Sequence, residues 1–320
     1  MKVNHRKKLI SIIIPVYEEG ENILLIYNEI LKIWKNIDKK YEYEIIFVDD
    51  GSKDTTPEIL EKLSNENKRV KYIQFSRNFG KEFALAAGFN NSSGDAVISM
   101  DADLEHPPNL ILEFLDKWER GAEIIIGLKN NYSCYNFTRR FLSLIFYKIQ
   151  NFISETKISL QETDYRLLDK KVVNEFNKFT ERARITRGLI DWLGFKKDYV
   201  YFYLQEKRCN KSKYNFLKLY KLAIETILSH SLFPLKLTGY LGIFITFLAI
   251  VLGLIVLVAK YILKTSWGLS ITGTAILAII ILFSVGIILC SLGIIALYIA
   301  NIQNEVINRP LYVIKKKKNF

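Results

Sequence analysis

The sequence predicts an α/β domain, a mainly parallel sheet covered on both faces by helices, followed by amphipathic segments and a two-helix membrane hairpin. Three observations predict it. From Leu9 to Ile126, short β-branched apolar runs alternate with stretches of helical spacing. The same region mixes charged and apolar residues as a soluble domain does. From about Leu235 to Ala300 the chain is then almost free of charge.

Leu9 to Val16 reads as the first strand, and Asn22 to Ile37 has helical spacing. Tyr43 to Val48 is the second strand. Thr55, with Pro57 in the first turn and Glu58 three residues on, reads as a helix start. Val70 to Phe75 is the third strand, Lys81 to Asn90 the third helix and Asp95 to Met100 the fourth strand. Pro108 to Arg120 is helical, and Ala122 to Ile126 is the fifth strand. Strands alternating with helices imply a mainly parallel sheet with helices on both faces.

Asn136 to Tyr203 is less regular. Asn136 to Ile153 is basic, aromatic and amphipathic, and reads either as a core-packed helix or as one lying at a membrane interface. Tyr214 to Ser229 has the same character, and its place just before the apolar region favours the interface. Leu237 to Ala259 and Ile271 to Ala300 are each long enough to span a bilayer, which takes roughly 20 apolar residues. The boundaries that follow are a soluble domain over 1–212, a juxtamembrane helix over 213–234, a hairpin over 235–302 and a basic tail over 303–320.

The 320 residues carry a formal net charge of +12, which points to a polyanionic partner. Lys213, Lys218, Lys221 and Lys236 flank the apolar runs on one side, and Lys315 to Lys318 follow them. By the positive-inside rule that side is the cytoplasm, so both termini are expected there; Lys260 and Lys264 in the intervening loop weaken the asymmetry without reversing it. With no zinc-finger spacing and no RNA-binding aromatic signature, nucleic acid is not expected as a partner. Cys134, Cys209 and Cys290 fit no disulfide or metal pattern. The apolar run Ile10 to Ile14 ends at Pro15 and is too short for a secretory signal.

In an open α/β sheet, ligands sit beyond the carboxyl ends of the strands. The second strand ends in Asp49-Asp50-Gly51-Ser52 and the fourth in Asp101-Ala102-Asp103. Two carboxylates so close together are costly unless a cation neutralises them, and hard oxygen ligands suit Mg²⁺ or Mn²⁺, which also bridge phosphates. Neither G-x-G-x-x-G after the first strand nor a P-loop motif occurs, which disfavours a dinucleotide oxidoreductase or a P-loop enzyme.

Ile13-Ile14-Pro15-Val16-Tyr17-Glu18-Glu19, Phe47-Val48-Asp49-Asp50-Gly51-Ser52, Ser76-Arg77-Asn78-Phe79-Gly80 and Met100-Asp101-Ala102-Asp103-Leu104 together resemble the family 2 glycosyltransferases of the GT-A (Rossmann-like) fold. Asp164-Tyr165-Arg166-Leu167-Leu168, Arg184-Ile185-Thr186-Arg187-Gly188 and Ser212-Lys213-Tyr214 extend the resemblance to the polyprenyl-phosphate branch, which includes dolichyl-phosphate mannose synthase and prophage-type glucosyltransferases. The ordered set covers essentially the whole chain.

The resemblance implies roles. Pro15, Tyr17 and Glu18 line the nucleotide pocket, with strand-end packing open as the alternative for Pro15 and Tyr17. Asp50 sits near the base, and Asp101 and Asp103 face the ribose and a diphosphate-bound metal. Glu105 joins the metal site where the family usually has Gln. Arg139 and Ser143, spaced to share one helix face, match positions that contact the lipid phosphate. Arg208, Ser212 and Lys213 match a second phosphate patch, although Asn210-Lys211 replaces the family's Gly-Glu there. Arg140, Arg166, Arg184 and Arg187 are further anion-binding candidates, since the guanidinium fork matches phosphate. Asp164 is either a base or a partner that orients an arginine.

The implied reaction moves a sugar with inversion from a nucleotide-sugar to polyprenyl phosphate at the cytoplasmic face of a membrane, the bacterial inner membrane being favoured. UDP-glucose is the favoured donor, GDP-mannose stays open, and a non-catalytic lipid-binding protein is the remote alternative. Homo-oligomers through the membrane helices are a further expectation. The absence of Q-x-x-R-W argues against a processive polysaccharide synthase.

Overall fold

The protein is described by a computed structural model at residues 7–129, 162–182, 184–202 and 273–320, and at positions 240, 244, 247 and 251. Two compact units emerge. The first takes in nearly all of the chain up to Ser212 together with Arg309–Phe320, and the second runs mainly over Lys213–Asn308.

The first unit is built on one eight-stranded sheet. Its strands are β1 (Lys8–Val16), β2 (Tyr41–Asp49), β3 (Val70–Phe75), β4 (Ala96–Ser99), β5 (Ile124–Lys129), β6 (Glu162–Asp169), β7 (Lys197–Phe202) and β8 (Ile314–Lys318). The spatial order is β7-β5-β6-β4-β1-β2-β3-β8. β1, β2, β3 and β4 run parallel, as do β5 and β7, whereas β6 is antiparallel to both β4 and β5. The chain winds outward from β1 through β2 to β3, then returns to place β4 on the other side of β1. The gap between the carboxyl ends of β1 and β4 is therefore the topological switch point, where such sheets bind ligands.

Interior parallel strands are buried on both faces and carry continuous apolar runs. In β1, Ile10, Ile12, Ile14 and Val16 face one core while Ile13 faces the other. The first core is closed by α1 (Gly20–Ile37), α2 (Thr56–Glu66) and α4 (Leu110–Glu119). The second is closed by α3 (Lys81–Asn90), α5 (Lys170–Phe176) and α6 (Thr186–Trp192). Gly88 lets α3 lie directly on β1, because a Cβ there would run into the Ile13 side chain.

α2 begins where the sequence expects it, with Thr55 at the N-cap position and Pro57 in the first turn, although Thr55 makes no side-chain cap; Asp54, one residue earlier, accepts the Thr56 backbone N–H at 3.1 Å and the Thr56 hydroxyl at 3.0 Å. The sheet is mainly parallel as expected, with β6 and β8 antiparallel to their neighbours. One expectation needs correction. The basic tail is not simply a solvated flank: Ile314–Lys318 adds to β3 as an antiparallel edge strand. Its lysines suit that place, since charge on an edge strand discourages pairing with other chains.

In the second unit, α7 (Gly273–Val306) is a 34-residue helix. At 1.5 Å per residue it is roughly 50 Å long, more than the ~30 Å of a bilayer's hydrocarbon core. It is the one helix among the described residues long and apolar enough to cross a membrane, and its window Phe283–Ala300 is not buried within the protein. The first apolar run, Leu237–Ala259, lies almost wholly outside the described residues.

Candidate active site

The carboxyl end of β1 leads into Tyr17 and Glu18. Glu18 takes a left-handed backbone (φ 55°), a conformation that non-glycine residues adopt at a cost and that clusters at functional sites. It is held there by its N–H, donated to the Ser52 hydroxyl at 2.9 Å, and by the Glu19 N–H, donated to the Thr56 hydroxyl at 3.1 Å. Pro15 lies inside β1 opposite Val48, so it is part of the strand as well as its mouth. Tyr17 is exposed, and the charge of Glu18 beside it, the largest cause, raises its phenol pKa.

At the end of β2, Asp49 is fully buried and accepts the Ser52 N–H at 2.8 Å. Asp50, also buried, grips a loop: its two oxygens accept the N–H groups of Phe79 at 2.7 Å and Gly80 at 2.8 Å. Burial pushes the Asp50 carboxyl up and these two hydrogen bonds pull it back, leaving it raised. Gly51 makes the grip possible, because its φ is +75° and a Cβ would lie 2.5 Å from the Arg77 backbone carbonyl carbon.

The end of β4 carries Asp101 and Asp103. Leu104, also left-handed (φ 59°), turns the chain so that the Glu105 N–H donates to Asp103 at 2.9 Å. Burial raises the Asp103 carboxyl, and the charges of Asp101 and Glu105 add to it. Glu105 pairs with Lys129 at 3.3 Å. Asp101 is braced from below by His106, whose Nδ1 accepts the Asp101 N–H at 3.0 Å while its ring stacks on Tyr165. Burial lowers the His106 pKa. An Nδ1 that accepts an N–H carries no proton, so His106 is neutral and its 3.8 Å approach to the Asp101 carboxylate is not an ion pair.

Lys81, in the first turn of α3, ties the cluster together. Its ammonium lies 2.5 Å from Asp101 and 2.9 Å from Asp164 on β6. Arg187 on α6 approaches the other Asp164 oxygen at 2.6 Å and donates to the Glu162 carbonyl at 2.9 Å. Burial works to raise the Asp164 carboxyl, but the hydrogen bond from Arg187 and the charge of Lys81 outweigh it and hold it well below the usual carboxylate range. Glu82, next to Lys81, fixes α6 by accepting the Thr186 N–H at 2.8 Å.

The structure thus gathers Asp101, Asp103, Glu105 and the Asp164–Arg187 pair around Lys81 and His106, two residues that sequence reading missed. Asp50 stands beside them at the loop. Arg184 is buried, donating to the carbonyls of Glu181, at 2.9 Å, and Phe179. Arg166 is fully buried, 2.9 Å from Glu162 and 3.6 Å from Asp191, a core ion group rather than an exposed anion site. Arg139, Arg140, Ser143, Arg208, Ser212 and Lys213 lie outside the described residues. Among the described residues no three His, Cys, Asp or Glu side chains converge as a complete metal cage.

A doubly wound sheet with acidic side chains gathered at its switch point places the candidate site where α/β enzymes bind their ligands. The sequence profile of glycosyl transferase family 2 matches residues 11–176, and the chain belongs to that family; it is a glycosyltransferase. It is similar to the putative glycosyltransferase CsbB of Bacillus subtilis, at 40% identity over 97% of this chain and 92% of that one. It is similar also to the uncharacterized glycosyltransferase sll0501 of Synechocystis, at 38% over 95% and 94%. The SfII prophage-derived bactoprenol glucosyl transferase of Shigella flexneri matches at 36% over 96% and 97%. Among solved structures, the mannosyltransferase PcManGT from Pyrobaculum calidifontis, in complex with GDP-Man and Mn²⁺, overlays with a TM-score of 0.46 at 17% identity, over 71% of this chain and 62% of that one.

Proposed function

We propose that the chain transfers a sugar, with inversion, from a nucleotide-sugar, UDP-glucose being favoured, to polyprenyl phosphate at the cytoplasmic face of the membrane. The observation that carries the reading is the Asp101–Asp103 pair at the switch point, joined through Lys81 to Asp164 and Arg187. The end-to-end similarity to a bactoprenol glucosyl transferase supports the lipid acceptor.

The acidic residues fit a divalent cation. Asp103 is pushed up by burial and by two neighbouring carboxylates, a cost that a cation offsets, and carboxylate oxygens suit Mg²⁺ or Mn²⁺. Asp101 and Asp103 would hold the ion, with Glu105 beside them. The bound ion would supply positive charge against a leaving diphosphate. The chain's own residues do the rest. Lys81 adds a fixed positive charge to the same cluster, and the Asp50-braced loop shapes the donor end. Asp164 serves as an orienting anion: a carboxylate held ionised between two cations is a weak proton acceptor. The acceptor, a phosphate monoester with a second pKa of about 6, is largely ionised near neutrality and needs orientation rather than a base.

The membrane reading is supported by α7 and by the tail. Because β8 pairs with β3, the chain leaves the first unit after Ser212 and rejoins it at Arg309, on the same side of any bilayer. Crossings between those points are therefore even in number, and α7 as one of them calls for a partner, for which Leu237–Ala259 has the length.

The test is turnover by the purified protein in detergent with a panel of radiolabelled nucleotide-sugars and polyprenyl phosphate, with and without Mg²⁺ or Mn²⁺. Label in the lipid extract that depends on metal is the expected result. Label released only as free sugar, or none with any donor, sinks the reading.

A further inference from the structure

The tail strand starts beside the Ser76–Gly80 loop. β8 pairs with β3 from Tyr72↔Lys318 to Phe75↔Ile314, with an irregularity between Gln74 and Phe75 where the strand gives way to the loop. The ladder continues one step further, as the Ser76 N–H donates to the Val313 carbonyl at 3.0 Å. Tyr312 stacks flat on Phe75, with centroids 5.0 Å apart and 15° between planes, and Phe75 meets Phe79 edge-on at 5.7 Å. The Phe79 N–H is one of the two that Asp50 grips. Contacts therefore run without a gap from Tyr312 through Phe75 and Phe79 to Asp50.

The other end of the tail is pinned as firmly. Asn319 donates to the carbonyls of Ser64 at 2.6 Å and Val70 at 2.8 Å. Lys316 pairs with Glu61 at 2.5 Å, and Lys317 donates to Asn91 at 2.7 Å. Asn90 donates to the Tyr312 hydroxyl at 3.3 Å, which adds α3 to the anchorage. Surface pairs of this kind are individually weak, but here they flank main-chain pairing and a stacked ring.

We propose that this C-terminal strand is a working part of the donor half of the site, with Tyr312 as a positioning residue that fixes the Ser76–Gly80 loop against Asp50. A segment that follows the long apolar helix thereby sets the nucleotide end of the pocket. The claim that the loop moves donor affinity rests on the function proposed above; the claim that Tyr312 orders the loop does not.

The experiment separates the two. Full-length wild type, Tyr312→Ala and Tyr312→Phe are compared by amide exchange over residues 76–80 without ligand, by nucleoside-diphosphate calorimetry and by the KM for polyprenyl phosphate in the lipid-product assay. An aromatic pair beyond its buried area is worth up to about tenfold in an equilibrium. Tyr312→Ala should raise exchange at Phe79 and Gly80 by about that factor and weaken nucleotide affinity similarly, leaving the KM for polyprenyl phosphate unchanged. Tyr312→Phe, which keeps the ring and loses only the long, exposed hydrogen bond from Asn90, should stay close to wild type in all three. If Tyr312→Ala does not fold, Tyr312→Leu, which keeps bulk without a flat ring, takes its place. Unchanged exchange at Phe79 and Gly80 overturns the proposal. Raised exchange with unchanged nucleotide affinity overturns the donor-side assignment of the loop. A wild type that binds no nucleoside diphosphate at all breaks the proposed function, and the exchange result still decides the strand's role.

Discussion

At the scale of single residues, the cluster separates groups that cost stability from groups that supply it. Asp103 is a carboxylate raised first by burial and then by the charges of Asp101 and Glu105, so removing it relieves a desolvation cost and some repulsion. Asp103→Ala should leave the melting temperature unchanged or slightly higher, while transfer falls at least about 10²-fold, the usual loss when a group serving transition-state charge is removed. A melt and a lipid-product assay on the same preparation check both; retained turnover rules the site out. His106 is also penalised when charged, but its pH dependence runs the other way. Its folded-state pKa is lowered, so the unfolded chain takes up the proton first, and stability is lost as pH falls below the unfolded value near 6.5. Melts across pH should show wild type losing up to about 1.4 kcal/mol per pH unit in that window, down to the folded-state pKa. His106→Gln, which keeps an acceptor for the Asp101 N–H, should lack that component; identical slopes for the two proteins refute the assignment. Sequence reading missed His106 because nothing local marks a histidine buried under a strand end. Lys81 did carry a signal. A lysine in the first turn of a helix opposes the helix dipole, so a cation at that position calls for a carboxylate partner, and Asp101 and Asp164 are those partners.

At the scale of elements, what could be read in advance follows from burial. β1 to β4 are interior strands whose β-branched runs are buried on both faces, and their residues announce them. The direction of β6 depends on the connection over 130–161, which carries no comparable pattern. β8 reads as solvated charge because four of its five residues are lysine; what makes it a strand is the distant β3 edge and the anchors Tyr312 and Asn319. The turn after β2 is the reverse case, where a short motif encodes tertiary structure. Asp50 and Gly51 act together, one gripping the Phe79–Gly80 amides and the other leaving room for the Arg77 backbone. Gly121 provides the contrast, with φ +92° but nothing within 4 Å of a Cβ. Gly121→Ala should cost only the backbone penalty, about 1–2 kcal/mol. Gly51→Ala should cost more, about 2–4 kcal/mol, as steric conflict adds to it, and should also weaken nucleotide binding. Denaturant melts of both variants, with calorimetry, check this. Equal costs would mean that the Arg77 backbone yields, and that the loop is not held as tightly as the contacts imply.

At the scale of the whole molecule, the pairing of β8 with β3 constrains topology more strongly than charge counting does. The lysines of Ile314–Lys318 follow the apolar runs in sequence, and their strand pairing puts them on the same side as the sheet, whichever side that is. A strand cannot join a sheet across a bilayer, so whatever lies between Ser212 and Arg309 must bring the chain back. On the proposed topology, with α7 as one crossing and Leu237–Ala259 as the other, a reporter fused after Phe320 should read cytoplasmic and one inserted within Lys260–Ser270 should read the opposite side. Deleting Leu237–Ala259 supplies the sharper measurement. One crossing would then remain, and the strand and the sheet could no longer both keep their native side. If the first unit keeps its place, the tail is stranded across the membrane, β3 loses its partner, and the Ser76–Gly80 loop loses Tyr312 and Val313. The deletion variant should therefore still enter the membrane fraction through α7, yet show raised amide exchange at Phe79 and Gly80 and weakened nucleotide affinity, as Tyr312→Ala does. A deletion variant with native exchange in that loop would mean that β8 still reaches β3, and that Leu237–Ala259 is not a crossing.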